Sequence, residues 1–124
     1  MNAAARNAYL ANSVKTASPA RLLVMLCDRM VLDVQRGLDA LVAGNRAEAG
    51  IQLLHAQEIV LELRASLDHD AWKGADQLDA LYEWMFAQLV KANTQQDVAA
   101  CEHVLGLAQE LAATWRQAAL EAVS

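Results

Sequence analysis

Proline and glycine are scarce in this sequence, with one Pro and five Gly among 124 residues. A β protein with many turns needs more of both, so their scarcity favours long, uninterrupted helices. Alanine and leucine, which are strong helix formers, recur along the whole chain. Apolar residues make up 56% of the sequence, which excludes a disordered composition. The length suits one domain with a single core.

Basic residues are also few, because ten Lys and Arg stand against 15 Asp and Glu and leave a net charge of −5. The sequence has no cluster of cations that could neutralise phosphates, so we expect no nucleic-acid partner. No apolar run approaches the roughly 18 residues that a membrane span requires, and the first residues carry no signal-peptide pattern. We therefore expect a soluble, cytoplasmic protein that does not insert into a membrane.

Cysteine occurs only at Cys27 and Cys101, which are far apart in sequence and have apolar neighbours. The sequence contains no CxxC pair, so we expect both to be small core residues rather than a redox or disulfide pair. Motifs that carry chemistry are equally absent, since there is no phosphate loop, GxGxxG or nucleophile–base motif. No histidine has a Glu three residues before it, as a di-iron bundle would require. We predict no enzymatic activity, no metal site and no cofactor.

One stretch is a candidate for histidine phosphotransfer. The sequence "HDAWKG" at 69–74 is superficially similar to the exposed His followed by Lys-Gly in four-helix histidine phosphotransfer domains. Lys73 lies four residues after His69, which is one too many for that spacing, and the stretch falls in a predicted loop. Phosphotransfer through His69 therefore stays a weak alternative.

Four helical patterns follow a short N-terminal segment. Ser18 can cap the first helix and Pro19 fits its first position, while Gly44-Asn45 is a stop signal. Asp97 can cap the last helix. Short connections between long helices force neighbouring helices to be antiparallel. The sequence predicts an all-α, antiparallel up-down four-helix bundle at 18–124, preceded by an N-terminal arm or helix at 1–17. The predicted helices cover about 18–43, 46–67, 75–92 and 97–122.

The first two helices carry more apolar residues than one inner stripe can hold. In the first helix, an inner stripe runs through Cys27 and Met30, and a second group of apolar residues falls outside it, beside Arg29 and Asp33. This second group consists of Leu22, Met25, Leu26 and Leu32. In the second helix, apolar residues lie roughly opposite the inner stripe; they are Ile51, Leu54 and Leu61. Three explanations stay open: neighbouring helices cover a wide arc, two copies of the chain pack together, or the surplus forms a groove for a partner segment.

The order of several short motifs matches a known family. "TASP" (16–19) is followed by the pattern LL-M-L-x-D at 22–28, then "AQEIVLELRASLD" (56–68) and "LYEWM" (81–85), and Tyr9 and Trp115 also fit. With these motifs the chain resembles the flagellar secretion chaperone FliS family over about 110 residues. It departs from the family's usual "LYDG", because Cys27 and Arg29 stand where relatives have Tyr and Gly.

The resemblance implies a function and a set of partner-binding residues. Such chaperones bind the disordered C-terminal segment of newly made flagellin in the cytoplasm, prevent premature polymerisation and assist delivery to the flagellar export apparatus. Other flagellar export or regulatory proteins are further candidate partners. The N-terminal arm either only anchors itself to the bundle or also covers the groove until the client displaces it. The candidate partner-binding residues are Tyr9, Leu10, Val14, Leu22, Met25, Leu26, Leu32, Ile51, Leu54, Gln57 and Leu61.

Overall fold

The computed structural model describes residues 19–70 and 73–123, and four α-helices account for most of them. Their bounds are Pro19–Val42 for α1, Arg46–Ala65 for α2, Ala75–Gln95 for α3 and Val98–Val123 for α4. The number, order and approximate extent of the predicted helices are thereby confirmed. The predicted N-terminal arm and the predicted cap Ser18 lie outside the described residues.

The turn between α1 and α2 follows the predicted stop signal. Gly44 has a φ of +74°, a left-handed conformation that glycine adopts without a steric penalty. The backbone N–H of Asn45 then returns to the carbonyl of Ala40 at 2.8 Å. The Asn45 side chain accepts a hydrogen bond from the backbone N–H of Glu48 at 3.1 Å and caps α2.

The predicted ends of α2 and α3 are wrong by a few residues. α2 stops two residues before Leu67, because the hydroxyl of Ser66 donates to the carbonyl of Leu63 at 2.8 Å and occupies an acceptor at the helix end. α3 continues through Asn93 to Gln95, where polar residues favour a break. The hydroxyl of Thr94 donates back to the carbonyl of Val90 at 2.9 Å, so this side chain supports the last turn of the helix.

The four helices form a closed ring in which each packs against two others. α1 and α3 each contact α2 and α4, and among the described residues the backbones of the two diagonal pairs lie farther apart. Arg116, late in α4, donates to both carboxylate oxygens of Asp28, early in α1, at 2.8 and 2.7 Å. Arg64, at the end of α2, donates to Asp79, near the start of α3, at 2.8 Å. These cross-helix bonds require antiparallel neighbours, so the up-down bundle is confirmed.

The core lies along the axis of the ring and takes residues from all four helices. Tyr82 and Met30 are among its largest fully buried side chains, and both cysteines are buried and free, as predicted. Burial raises the pKa of Cys27 to about 11, with a further contribution from Asp28, and burial also raises that of Cys101 to about 11. Both thiols are therefore protonated at neutral pH and are poor nucleophiles. Within the described ranges, no helix has the length and apolar character that crossing a membrane demands.

α1 packs tightly against Leu53 of α2 at Gly37. A Cβ atom at this position would lie 2.6 Å from Cδ2 of Leu53 and 2.9 Å from its Cγ. Leu53 is fully buried, so its side chain has little room to move away. The absence of a side chain at Gly37 therefore sets the spacing of these two helices.

We predict that Gly37→Ala lowers the free energy of unfolding by about 1–3 kcal/mol, because overpacking outweighs the better helix propensity of alanine. Gly106→Ala is the matched control, since Gly106 is exposed in α4 and a Cβ there meets nothing within 4 Å. This control should raise the free energy of unfolding by up to about 1 kcal/mol. Urea denaturation of both variants measures the difference, and a rise in both would contradict the close approach.

Asp97 caps the N-terminus of α4, and its charge should make the stability of the fold depend on pH. The Asp97 carboxylate accepts a hydrogen bond from the backbone N–H of Ala100 at 3.0 Å, and its other oxygen lies 3.5 Å from Nζ of Lys91. The backbone bond from Ala100 is the first cause that lowers the pKa of Asp97 below its usual value. A lowered carboxyl pKa stabilises the fold above the unfolded-state pKa, and this stabilisation is lost as the pH falls through the folded-state pKa.

Asp97→Asn keeps a capping side chain but removes the charge. We expect wild-type protein to be more stable than this variant at neutral pH, and the difference to disappear as the pH falls below roughly 4. Urea midpoints of both proteins between neutral pH and pH 3 measure it. A difference that does not change with pH would show that the charge of Asp97 adds nothing.

Candidate functional site

The outer sides of α1 and α2 expose large apolar side chains. Five residues between 39% and 62% exposed lie there, and we call them the outer apolar face: Met25, Leu32, Ile51, Leu54 and Leu61. All five come from the surplus that the sequence predicts outside the inner stripes. Monomeric proteins expose isolated apolar residues routinely, but grouped ones on neighbouring helices are typical of interaction surfaces.

The composition of α2 explains why this surface exists. Its inner side, from Ala49 to Leu63, is buried against the core. Ile51, Leu54 and Leu61 lie on the other side of the same helix and stay exposed. Only α1 and α3 pack against α2 in the described part of the chain, so no helix covers its outer side.

The remaining predicted site residues lie in different environments. Leu22 and Leu26 are half-buried, and Leu26 packs against the core. Gln57 is buried in α2 and offers little surface to a partner. Tyr9, Leu10 and Val14 lie outside the described residues. The partner-binding role of all these residues stays a prediction.

Asp33 corrects the pattern predicted for α1. The periodicity places it outside the inner face beside Arg29, but the structure buries it completely. Its carboxylate accepts a hydrogen bond from Nε of Arg29 at 3.1 Å and another from Nδ1 of His55, which belongs to α2. A buried carboxylate needs such partners, because an unpaired charge in the interior is costly. The three side chains therefore connect α1 to α2 beside the outer apolar face.

A pocket of about 370 Å³ lies next to this connection. Its lining residues recur at the spacing of one side of a helix, and they are His55, Glu58, Ile59 and Glu62. Glu58 is exposed and lies between Leu54 and Leu61 in the same row of α2, so the pocket joins the outer apolar face. The site thus combines apolar anchoring positions with carboxylates at their edge.

The sequence could have indicated Asp33 only in part. Asp33 follows Met30 by three residues and precedes Gly37 by four, which is the spacing of the inner stripe. Its partner His55 is 22 residues away, and no periodicity shows that the two side chains meet. The residues that line the pocket beside Glu58 all belong to α2, and the sequence carries no signal that a pocket forms there.

Other exposed side chains in the described ranges do not extend this site. Trp84 of α3 is partly exposed and its ring centroid lies 6.5 Å from that of His103 in α4. His69, the candidate phosphotransfer residue, lies in the connection before α3 with Nδ1 2.7 Å from Oδ1 of Asp76. The hydrogen bond to Asp76 is the first cause that raises the pKa of His69 above its usual value.

Comparison with known proteins places this chain in a family. The family model described as "Flagellar protein FliS" matches residues 1–122. The flagellar secretion chaperone FliS of Bacillus subtilis (strain 168) is 30% identical over 111 residues, covering 90% of this chain and 83% of that protein. The flagellar secretion chaperone FliS of Salmonella typhimurium (strain LT2) is 34% identical over 110 residues, covering 86% of this chain and 80% of the relative.

A solved structure agrees in fold. The crystal structure of a flagellar chaperone from bacteria superposes with a TM-score of 0.75 at 22% sequence identity, and the match covers 92% of this chain and 94% of that one. This likeness confirms the all-α bundle. Taken with the family match, this fold places the chain in the class of flagellar secretion chaperones. The chain belongs to the FliS family, as its motifs predict.

We predict that His55→Ala lowers the free energy of unfolding by about 1–3 kcal/mol, because it leaves the buried Asp33 carboxylate without one of its two partners. His103→Ala is the control, since His103 is exposed and lies beside the partly exposed ring of Trp84. This control should change stability by less than about 0.5 kcal/mol. Chemical denaturation compares the two, and equal losses would show that the Asp33 contact contributes nothing particular.

Proposed function

We propose that this protein is a cytoplasmic export chaperone for flagellin. It binds the disordered C-terminal segment of newly made flagellin, prevents that segment from polymerising early, and assists its delivery to the flagellar export apparatus. Family membership supports a role in flagellar secretion, since the curated relatives carry the name flagellar secretion chaperone. The choice of flagellin as client follows from the family resemblance, and the exposed apolar surface is compatible with it.

The observation that supports client binding most directly is the outer apolar face. The core of the bundle is already filled by fully buried side chains from all four helices, so Ile51 and Leu54 are not needed to complete it. A segment with apolar residues at helical spacing can bury them by docking as a helix in a groove. Flagellin tails pack as helices in the filament and carry such apolar repeats, so the same side chains are available to the chaperone before assembly.

Binding of this kind explains how early polymerisation is prevented. The apolar positions that a flagellin tail uses against its neighbours are the positions that the chaperone covers. The tail is disordered before binding, so its ordering consumes part of the interaction energy and leaves a moderate affinity. A moderate affinity suits a client that must be released for export.

We expect Leu54→Asp to weaken binding of a flagellin C-terminal peptide about tenfold or more, because burying one leucine contributes about 1.5–3 kcal/mol and an aspartate there would be desolvated. Isothermal titration calorimetry with the flagellin of the source organism measures the affinity and should give one peptide per chain. Far-UV circular dichroism should show an unchanged bundle, because Leu54 is 52% exposed.

Leu120→Asp is the matched control, since Leu120 is 58% exposed but lies in α4. It should bind the peptide as tightly as wild-type protein. Absence of binding by the wild-type chain at tens of micromolar would reject the proposed client. If both substitutions lower the peptide affinity equally, the result would contradict docking on α1 and α2.

A further inference from the structure

We infer that the outer apolar face selects a helical segment that carries a basic side chain beside its apolar anchors, with the cation lying against Glu58. This inference rests on the proposed function and specifies the client chemistry that the same surface recognises. It concerns specificity, so flagellin binding and this preference can succeed or fail separately.

The first support is the position of the two carboxylates. Glu58 follows Leu54 by four residues and precedes Leu61 by three, so it lies within the exposed apolar row of α2. Glu62 is one turn further along the helix and lines the same pocket as Glu58. A partner helix that buries Leu54 and Leu61 must therefore pass close to Glu58, and a carboxylate desolvated without a cation nearby would weaken binding.

A second observation is that three basic side chains of α1 and α2 already have other partners. Arg29 and His55 hold the buried carboxylate of Asp33. Arg64 donates to Asp79 of α3. Glu58 itself makes no ion pair within the described part of the chain, so its carboxylate can accept a cation from the docking segment.

The third support is the pocket itself. Its volume of about 370 Å³ far exceeds the roughly 30 Å³ that one water molecule occupies. Ile59 gives it an apolar floor, while Glu58 and Glu62 supply its carboxylates. A lysine or arginine fits this combination, because its methylene stem packs on apolar surface while its charged end reaches an acceptor.

The fourth support comes from the distribution of charge in the sequence. Residues 1–18 contain Arg6 and Lys15 and no acidic residue, so all 15 Asp and Glu follow position 18. This stretch includes the predicted N-terminal arm at 1–17, which either only anchors itself to the bundle or also covers the groove, as the family resemblance implies. If the arm covers the groove, a client that displaces it should share its apolar and basic character. A second copy of the chain lacks this complementarity, since a symmetric contact through this face would bring the same carboxylates together.

Two synthetic amphipathic peptides test the preference. Both carry leucines at helical spacing, and they differ only in one flanking position, which is Lys in one peptide and Glu in the other. The full-length chain should bind the Lys peptide roughly three- to tenfold more tightly at low salt, and the ratio should shrink as salt is added. Equal affinities at low salt would overturn the inference.

Glu58→Lys should reverse the preference, and Glu110→Lys, at an exposed site on α4, should leave it unchanged. Glu58→Gln, which removes the charge with little change in shape, should reduce the ratio towards one and keeps the test valid where the lysine variant does not fold. An unchanged preference in Glu58→Gln would reject the role of this carboxylate. If the wild-type chain sediments as a dimer and Leu54→Asp makes it a monomer, the outer apolar face is a self-association surface. That result would overturn the inference.

Flagellin binding distinguishes the two proposals. If the flagellin C-terminal peptide does not bind wild-type protein, the proposed function fails. If that peptide binds and yet the Lys and Glu peptides bind equally well, the proposed function stands and the charge preference fails.

Discussion

Each helix of this ring packs against two others and turns its remaining side to solvent, and the apolar residues of α2 exceed what that arrangement can bury. Ala49, Leu53 and Val60 fill the inner side, while no helix among the described residues covers Ile51 and Leu54, which stay exposed. The bundle cannot hide both sets by rotating α2, because a rotation that buried the outer set would expose the inner one. Exposed apolar surface is thus a consequence of the sequence of α2.

The buried Asp33 gives this surface a fixed foundation. Its bond to His55 crosses from α1 to α2, and the close approach at Gly37 lies one turn further along α1. A polar contact with few acceptable geometries restricts sliding and rotation of two helices more than interchangeable apolar contacts do. The outer residues of both helices therefore keep a constant spacing. A docking surface gains affinity from such preorganisation, because less conformational freedom is lost on binding.

The sequence predicts the fold better than it predicts the site, and individual residues show why. Helix number and order follow from apolar spacing and from local signals such as Gly44 and Asp97, which act within one turn of the chain. Periodicity also separates Leu54 and Leu61 from the inner stripe of α2. Asp33 is predicted outside the inner face because it is charged, although its spacing from Met30 fits the stripe, and its burial depends on a partner in another helix. The roles of Tyr9 and Gln57 come from family likeness alone, and nothing in local sequence determines them.

An acidic residue within the apolar row of α2 allows apolar side chains to be exposed while it disfavours self-association of the chain. A purely apolar outer face would attract a second copy of the chain, since a symmetric contact buries the same residues twice. Glu58 opposes that contact because its carboxylate would be desolvated there, and desolvating a charge without a cation nearby is costly. The same carboxylate costs little against a segment that brings a cation. A single residue can thus disfavour self-association and favour a basic helical client. It thereby discriminates between the client and a second copy of the chain.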